Sequence, residues 1–184
     1  AGQKLPDVLR LTRTEGVGAV TFFSLLQRFK TAGDALAALP DLSKRGGRKK
    51  PLTPITLAEA EAEIEAAETF GARLVMFGED DYPPLLTRIP DPPPVITIMG
   101  NANLWKDRLT VALVGARSAS AGGCQMAQQL ARQLGENRVT VVSGLARGID
   151  TFVHRGSVAS GTVAVIAGGI DNIYPPENQM LYHQ

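Results

Sequence analysis

One cysteine, Cys124, in 184 residues leaves the chain unable to close an internal disulfide or assemble a thiolate metal site. Its expected place is as a small buried side chain in a reducing compartment. No uninterrupted apolar run approaches the roughly 20 residues that span a bilayer, and the first residues lack a basic-then-apolar signal pattern. The expected address is therefore the cytoplasm, without a membrane partner. A P-loop, G-x-x-x-x-G-K-[ST], is also missing, which argues against an ATPase of that kind. Where a dinucleotide fold would carry G-x-G-x-x-G, this chain reads GARSASAGG, and its second strand run ends in Ser143 instead of Asp or Glu. These absences argue against NAD-type redox chemistry, and no cofactor or metal is expected.

What is present is a charge separation hidden inside a net charge of +1. Leu57 to Tyr82 holds eight acids against one base, Arg73, whereas Leu104 to Ser160 holds seven bases and three acids. An anionic partner belongs on the second region.

The first forty residues read as short helices. Phe22, Leu25, Leu26 and Phe29 form one stripe at helical spacing, and Asp34 can cap a helix carrying Leu36 and Leu39. Glu15 to Gly18, EGVG, resembles the glycine hairpin of helix-hairpin-helix modules, whose amides can hold a phosphate; a tight interhelical turn is the alternative. KRGGRKKP, residues 44 to 51, reads as a solvated basic linker and sets the expected boundary between domains 1–50 and 51–184. Thr56 and Glu59 have capping-box spacing ahead of an Ala- and Glu-rich helix ending near Gly71. A strand over 72–77, a loop at GEDDYPPLL, three prolines and a β-rich Val95 to Met99 follow.

From Thr110 three apolar strand runs appear, Val111 to Val114, Val139 to Val142 and Val163 to Ala167, each followed by glycine. Between the first two, Met126, Ala127, Leu130, Ala131 and Leu134 describe a helix stopped by Gly135, and 150–159 reads as a second helix. Strands separated by helices imply βαβ crossovers and an α/β parallel sheet. All strand carboxyl ends then share one edge, where three glycine turns meet: Gly115 to Ser118, Ser143 to Asp150, and Gly168 to Asp171. Open sheets bind ligands at that edge, where strand order reverses, and free amides there favour phosphate.

Within the second turn, Gly144 and Gly148 permit close approach, Ser143 brings a hydroxyl and Arg147 a charge. Arg147 either meets ligand or pairs with Asp150 or Asp171. Arg117 has fewer alternatives and is expected to face the crevice. Asp150 and His154, one helical turn apart, read either as an acid–base pair or as the helix start that fixes the loop; with no nucleophile or second carboxylate nearby, the structural reading is favoured.

VALVGARSAS, VVSGLARGIDTFVHRG and TVAVIAGGIDNIYPPEN, in this order, resemble the bacterial DNA-processing protein A family (DprA, also called Smf). DDYPPLLTRIPDPPPVITIMGN resembles that family's entry into its Rossmann-like domain, and the helical start resembles its SAM-like domain. The resemblance implies an extended Rossmann-like fold, a three-layer parallel sheet cut short after the third motif, preceded by a small all-α SAM-like or helix-hairpin-helix-like domain. It implies a non-enzymatic recombination mediator of natural transformation that binds and protects single-stranded DNA, helps load the RecA recombinase, and is a homodimer when full length. Gly115, Arg117, Ser118, Ser143, Gly144, Arg147, Gly148, Gly168 and Gly169 are the DNA-contact residues so implied, with Asp150, His154, Asp171, Tyr174 and Asn178 fixing loops. Only Phe152, Tyr174 and Tyr182 offer rings near the rim, so electrostatics should dominate.

Two departures stand out. Many relatives carry a lysine just before the third strand, where this chain has Ser160-Gly161-Thr162, and the family's fold continues beyond Gln184. The competing class is a nucleotide-sugar or nucleoside-monophosphate hydrolase using Asp150 and His154, but its P-G-G-x-G-T-x-x-E motif does not occur. A chain ending at Gln184 is predicted to expose apolar sheet edge and to be unstable or self-associating. Light scattering across a concentration series would show oligomers; a monomer that unfolds cooperatively is the contrary result.

Overall fold

The structure is a computed structural model that describes residues 2–45 and 51–184. Its contacts group into two compact units, Ala1–Gly100 and Asn101–Gln184. The expected boundary at residue 50 and most of the basic linker, residues 46–50, lie outside the described residues.

The first unit contains four helices, α1 (Leu5–Thr12), α2 (Ala19–Phe29), α3 (Ala32–Arg45) and α4 (Leu57–Thr69), then an antiparallel hairpin of β1 (Ala72–Met76) and β2 (Val95–Met99). Val8, Leu9 and Leu11 from α1, Phe22 from α2 and Leu36 and Leu39 from α3 are buried together. The helix carrying Leu36 and Leu39 starts two residues before Asp34. Thr31, not Asp34, supplies the cap, its hydroxyl accepting from the Asp34 amide at 3.1 Å and donating to the Asp34 carboxylate at 2.5 Å. The α4 capping box is present: Thr56 Oγ1 accepts from the Glu59 amide, and the Glu59 carboxylate accepts from the Thr56 amide. These bonds hold the Glu59 carboxyl below its ordinary pKa.

The second unit begins with α5 (Asn103–Lys106) and places β3 (Thr110–Ala112), α6 (Ala121–Glu136), β4 (Thr140–Ser143), α7 (Ile149–Ser157), β5 (Thr162–Ala164) and α8 (Gln179–Tyr182) in that order. The three strands are parallel in the order β3-β4-β5, with Val111 opposite Val141 and Val141 opposite Thr162. Sequence order is kept across them, so among the described strands there is no reversal point. The core is Val141 from β4, Ala131 from α6 and Val153 from α7, surrounded by Leu113, Ala127, Leu134 and Ile149.

The buried face of α6 differs from the expected stripe. Met126 and Leu130 are 71% and 41% exposed, while Cys124, Ala131 and Gly135 are buried. The reason is the proximity of α7: a Cβ at Gly156 would collide with the main-chain carbonyl of Gln128, so only small residues fit at the contact. Gly135 is likewise not a stop. It lies inside α6 against the Ser160 side chain, and the helix ends instead at Asn137, followed by Arg138 at φ 60°.

Gly156→Ala sets helix propensity against packing. Propensity alone would favour alanine by about 1 kcal/mol, but overpacking costs about 1–3 kcal/mol and here meets rigid backbone. Urea unfolding should show a net loss of stability, and a gain would contradict the close α6–α7 contact.

Candidate nucleic-acid interface

Residues 143–150 reverse the chain between β4 and α7, and the reversal leaves main-chain amides to be satisfied. Asp150, 6% exposed, does this: its Oδ2 accepts from the amides of Gly144 at 3.2 Å and Ala146 at 3.4 Å. Thr151 adds a hydroxyl bond to the Ala146 carbonyl at 2.8 Å. Asn178, 2% exposed, donates through Nδ2 to the Leu145 carbonyl at 2.8 Å and to Thr151 Oγ1 at 2.9 Å. The clamp holds Leu145 at φ 58°, a left-handed conformation unusual for a branched side chain, with that side chain buried. No feature of the sequence marks Leu145 as the strained position.

The first and second turns touch. The Ile149 amide donates to the Ala116 carbonyl at 3.2 Å, and Gly148, at φ 73°, packs so closely on the Ala116 and Arg117 carbonyls that no Cβ could fit. Ser143 is 3% exposed and donates to the Leu113 carbonyl at 2.7 Å, so its hydroxyl ties β4 to β3 and is not an open donor. Gly115, Arg117 and Ser118 are exposed. Arg117 makes no hydrogen bond or ion pair to any described residue, whereas Arg147 pairs with Glu177 at 2.9 Å. That partner is neither of the two expected, Asp150 or Asp171. Glu177 was legible only as the carboxylate beside Asn178 in PPEN.

The third turn follows β5, and the chain leading to it starts beside the second turn, where the Val165 amide donates to the Ser143 carbonyl at 2.8 Å. Gly168, Gly169 and Asp171 are exposed, and Tyr182 donates its hydroxyl to the Ile170 carbonyl at 2.5 Å. Burial, assisted by the Asp171 charge, raises the Tyr182 pKa. Tyr174, 66% exposed, precedes the buried Pro175, and Arg155 lies 5.1 Å from the centre of the Phe152 ring.

His154 sits behind the rim, 1% exposed, with Nδ1 3.0 Å from Thr162 Oγ1. The Thr162 hydroxyl donates to the Val141 carbonyl at 2.9 Å, so its oxygen is the acceptor and Nδ1 carries the proton. Nε2 is buried without a hydrogen-bond partner. Burial pushes the imidazole pKa down, against smaller opposing pulls from Asp150 and the Ser143 carbonyl. With His154 buried and Asp150 bound to two amides, neither side chain of the acid–base reading is presented to a substrate. Among the described residues no group of three His, Cys, Asp or Glu is placed to hold a metal, and no helix is long and apolar enough to cross a membrane.

Residues 73–184 match the family model for DNA recombination-mediator protein A, and residues 3–66 match that for the DprA-like N-terminal HHH domain. Protein Smf of Synechocystis is 30% identical over 193 residues, covering 96% of this chain and 47% of the relative. DNA processing protein DprA of Streptococcus pneumoniae is 40% identical over 105 residues, covering 56% of this chain and 36% of the relative. This chain thus spans less than half the length of these relatives. The X-ray structure of Streptococcus pneumoniae DprA superposes with a TM-score of 0.72 at 27% identity, covering 98% of this chain and 63% of that one. A structure of Helicobacter pylori DNA processing protein A, described for its single-stranded DNA binding mode, superposes with a TM-score of 0.53 at 27% identity, covering 59% of this chain and 49% of that one.

The buried imidazole makes stability depend on pH. The unfolded ring titrates near pH 6.5 and the folded one lower. As pH falls below about 6.5 the unfolded state takes up the proton first, so stability drops, by up to about 1.4 kcal/mol per pH unit, until the folded value is reached. Urea unfolding midpoints between about pH 7.5 and pH 5.5 should show this fall in the parent and a shallower one in His154→Gln. Equal slopes would mean that His154 is not held neutral.

Proposed function

The chain belongs to the DNA recombination-mediator protein A family, and from this we propose that residues 101–184 bind single-stranded DNA across the rim formed by the three glycine turns. The observation that carries the proposal is Arg117: an exposed residue whose guanidinium has no partner among the described residues, while its main-chain carbonyl packs against Gly148. A phosphodiester can reach it without breaking any bond there. Gly115 and Ser118 flank it, and Gly144, Arg147, Gly148, Gly168 and Gly169 continue the rim.

The binding is ionic more than aromatic. Of the rings near the rim, Phe152 faces Arg155 and the Tyr182 hydroxyl is engaged with Ile170. Tyr174 remains exposed for stacking. Such a surface follows a backbone with little base preference. The Streptococcus pneumoniae relative named DprA and the Helicobacter pylori structure support DNA as the ligand class. The reading extends to a non-enzymatic cytoplasmic mediator that protects incoming strands, helps load RecA and, when full length, is a homodimer; family membership is its support.

A labelled poly-T strand titrated with the protein should bind with an affinity that falls as salt rises. Arg117→Ala should weaken binding about tenfold at low salt and reduce the slope of log K against log salt by about 0.7, one phosphate contact on a single strand. Binding unchanged by the substitution would remove DNA from the rim. Release of a free base from a nucleotide would instead favour the hydrolase.

A further inference from the structure

The two rim arginines differ in a way the family assignment does not explain. Arg117 is unpaired among the described residues, while Arg147 Nη2 lies 2.9 Å from Glu177 Oε1. Both partners of that pair are more than half exposed, 56% and 60%, so solvent and ligands reach it. Glu177 does not drift there. It stands between Pro176 and the buried Asn178, whose amide is bonded to Leu145 and Thr151. Backbone anchored on one side of the 143–150 turn thus holds a carboxylate against the arginine on that turn.

We propose that Glu177 is a built-in competitor for the anion site at Arg147 and sets how tightly the rim holds a phosphodiester. The inference rests on the DNA-binding reading above. To reach Arg147, a phosphate must displace the carboxylate, and Glu177 then remains as a like charge next to the ligand. An exposed ion pair is weak enough to be opened in this way, and the residual repulsion lowers affinity without abolishing it. The other acids near the turn are less suited to the role. Asp150 is buried and bound to two amides, and Asp171 forms no ion pair among the described residues. Because a single phosphate gains little at Arg147 after displacing a carboxylate, the arrangement favours ligands that engage Arg117 at the same time, that is, polyanions over mononucleotides.

The test is a binding cycle with a labelled poly-T strand on the parent, Glu177→Gln, Arg147→Ala and the double variant. Glu177→Gln should tighten binding about three- to tenfold, and the same change in the Arg147→Ala background should have no effect. Unchanged or weaker binding by Glu177→Gln would overturn the proposal, since the carboxylate would then be orienting Arg147 for ligand. Equal tightening in both backgrounds would also overturn it, as a diffuse field effect that does not act through Arg147. If the parent binds no oligonucleotide, the DNA reading falls by itself. The pair is then tested directly by following the Arg147 Nε–Hε NMR resonance during titration with inorganic triphosphate: half-saturation at lower concentration in Glu177→Gln supports the competitor role, and an unchanged midpoint refutes it.

Discussion

One buried carboxylate organises the second unit. Asp150 accepts two main-chain amides from the turn that precedes its own helix, and that turn in turn receives the close packing of Gly148 on the first glycine loop. An unsatisfied buried amide costs about 1–3 kcal/mol, so the turn keeps its shape only while the Asp150 side chain is in place. Asn178 secures the same turn from the far end of the chain. The rim is therefore a product of three segments distant in sequence, with its central turn held by polar side chains that face inward.

Below the rim the helices are held close by small residues. Gly156 admits the Gln128 carbonyl, and Ala131 is buried in one cluster with Val141 and Val153. This tight layer fixes the start of α7, and with it the position of Asp150. It also leaves the long side chains Met126 and Leu130 outside, where amphipathic spacing alone would not put them.

The alternation of strand, glycine turn and helix was legible because period-2 and period-3.6 patterns are written in single segments. The three turns that end the strands were legible for the same reason, each lying in a short contiguous string. Features that depend on pairing across the chain were not legible. The buried face of α6 departs from its apolar stripe because the spacing of Met126 and Leu130 says nothing about how near α7 approaches. Ser143 was expected to offer its hydroxyl outward, but the Leu113 carbonyl thirty residues away claims it. Arg147 had Asp150 and Asp171 as nearby candidates, yet the turn at Pro175–Asn178 brings Glu177 to it instead. The strain at Leu145 has no signature at all, since nothing but the Asn178 clamp and the surrounding packing requires it.

Much of the rim is main chain, and this bears on how such a surface evolves. Amides and carbonyls are common to every residue except for the amide that proline lacks, so an exposed position such as Ala116 can change side chain while the carbonyl it contributes stays where it is. What cannot drift is the set of inward residues that bend the chain into place. Selection on this surface should accordingly be recorded less in its exposed side chains than in the buried Asp150 and Asn178 and the close-packed Gly148 behind them.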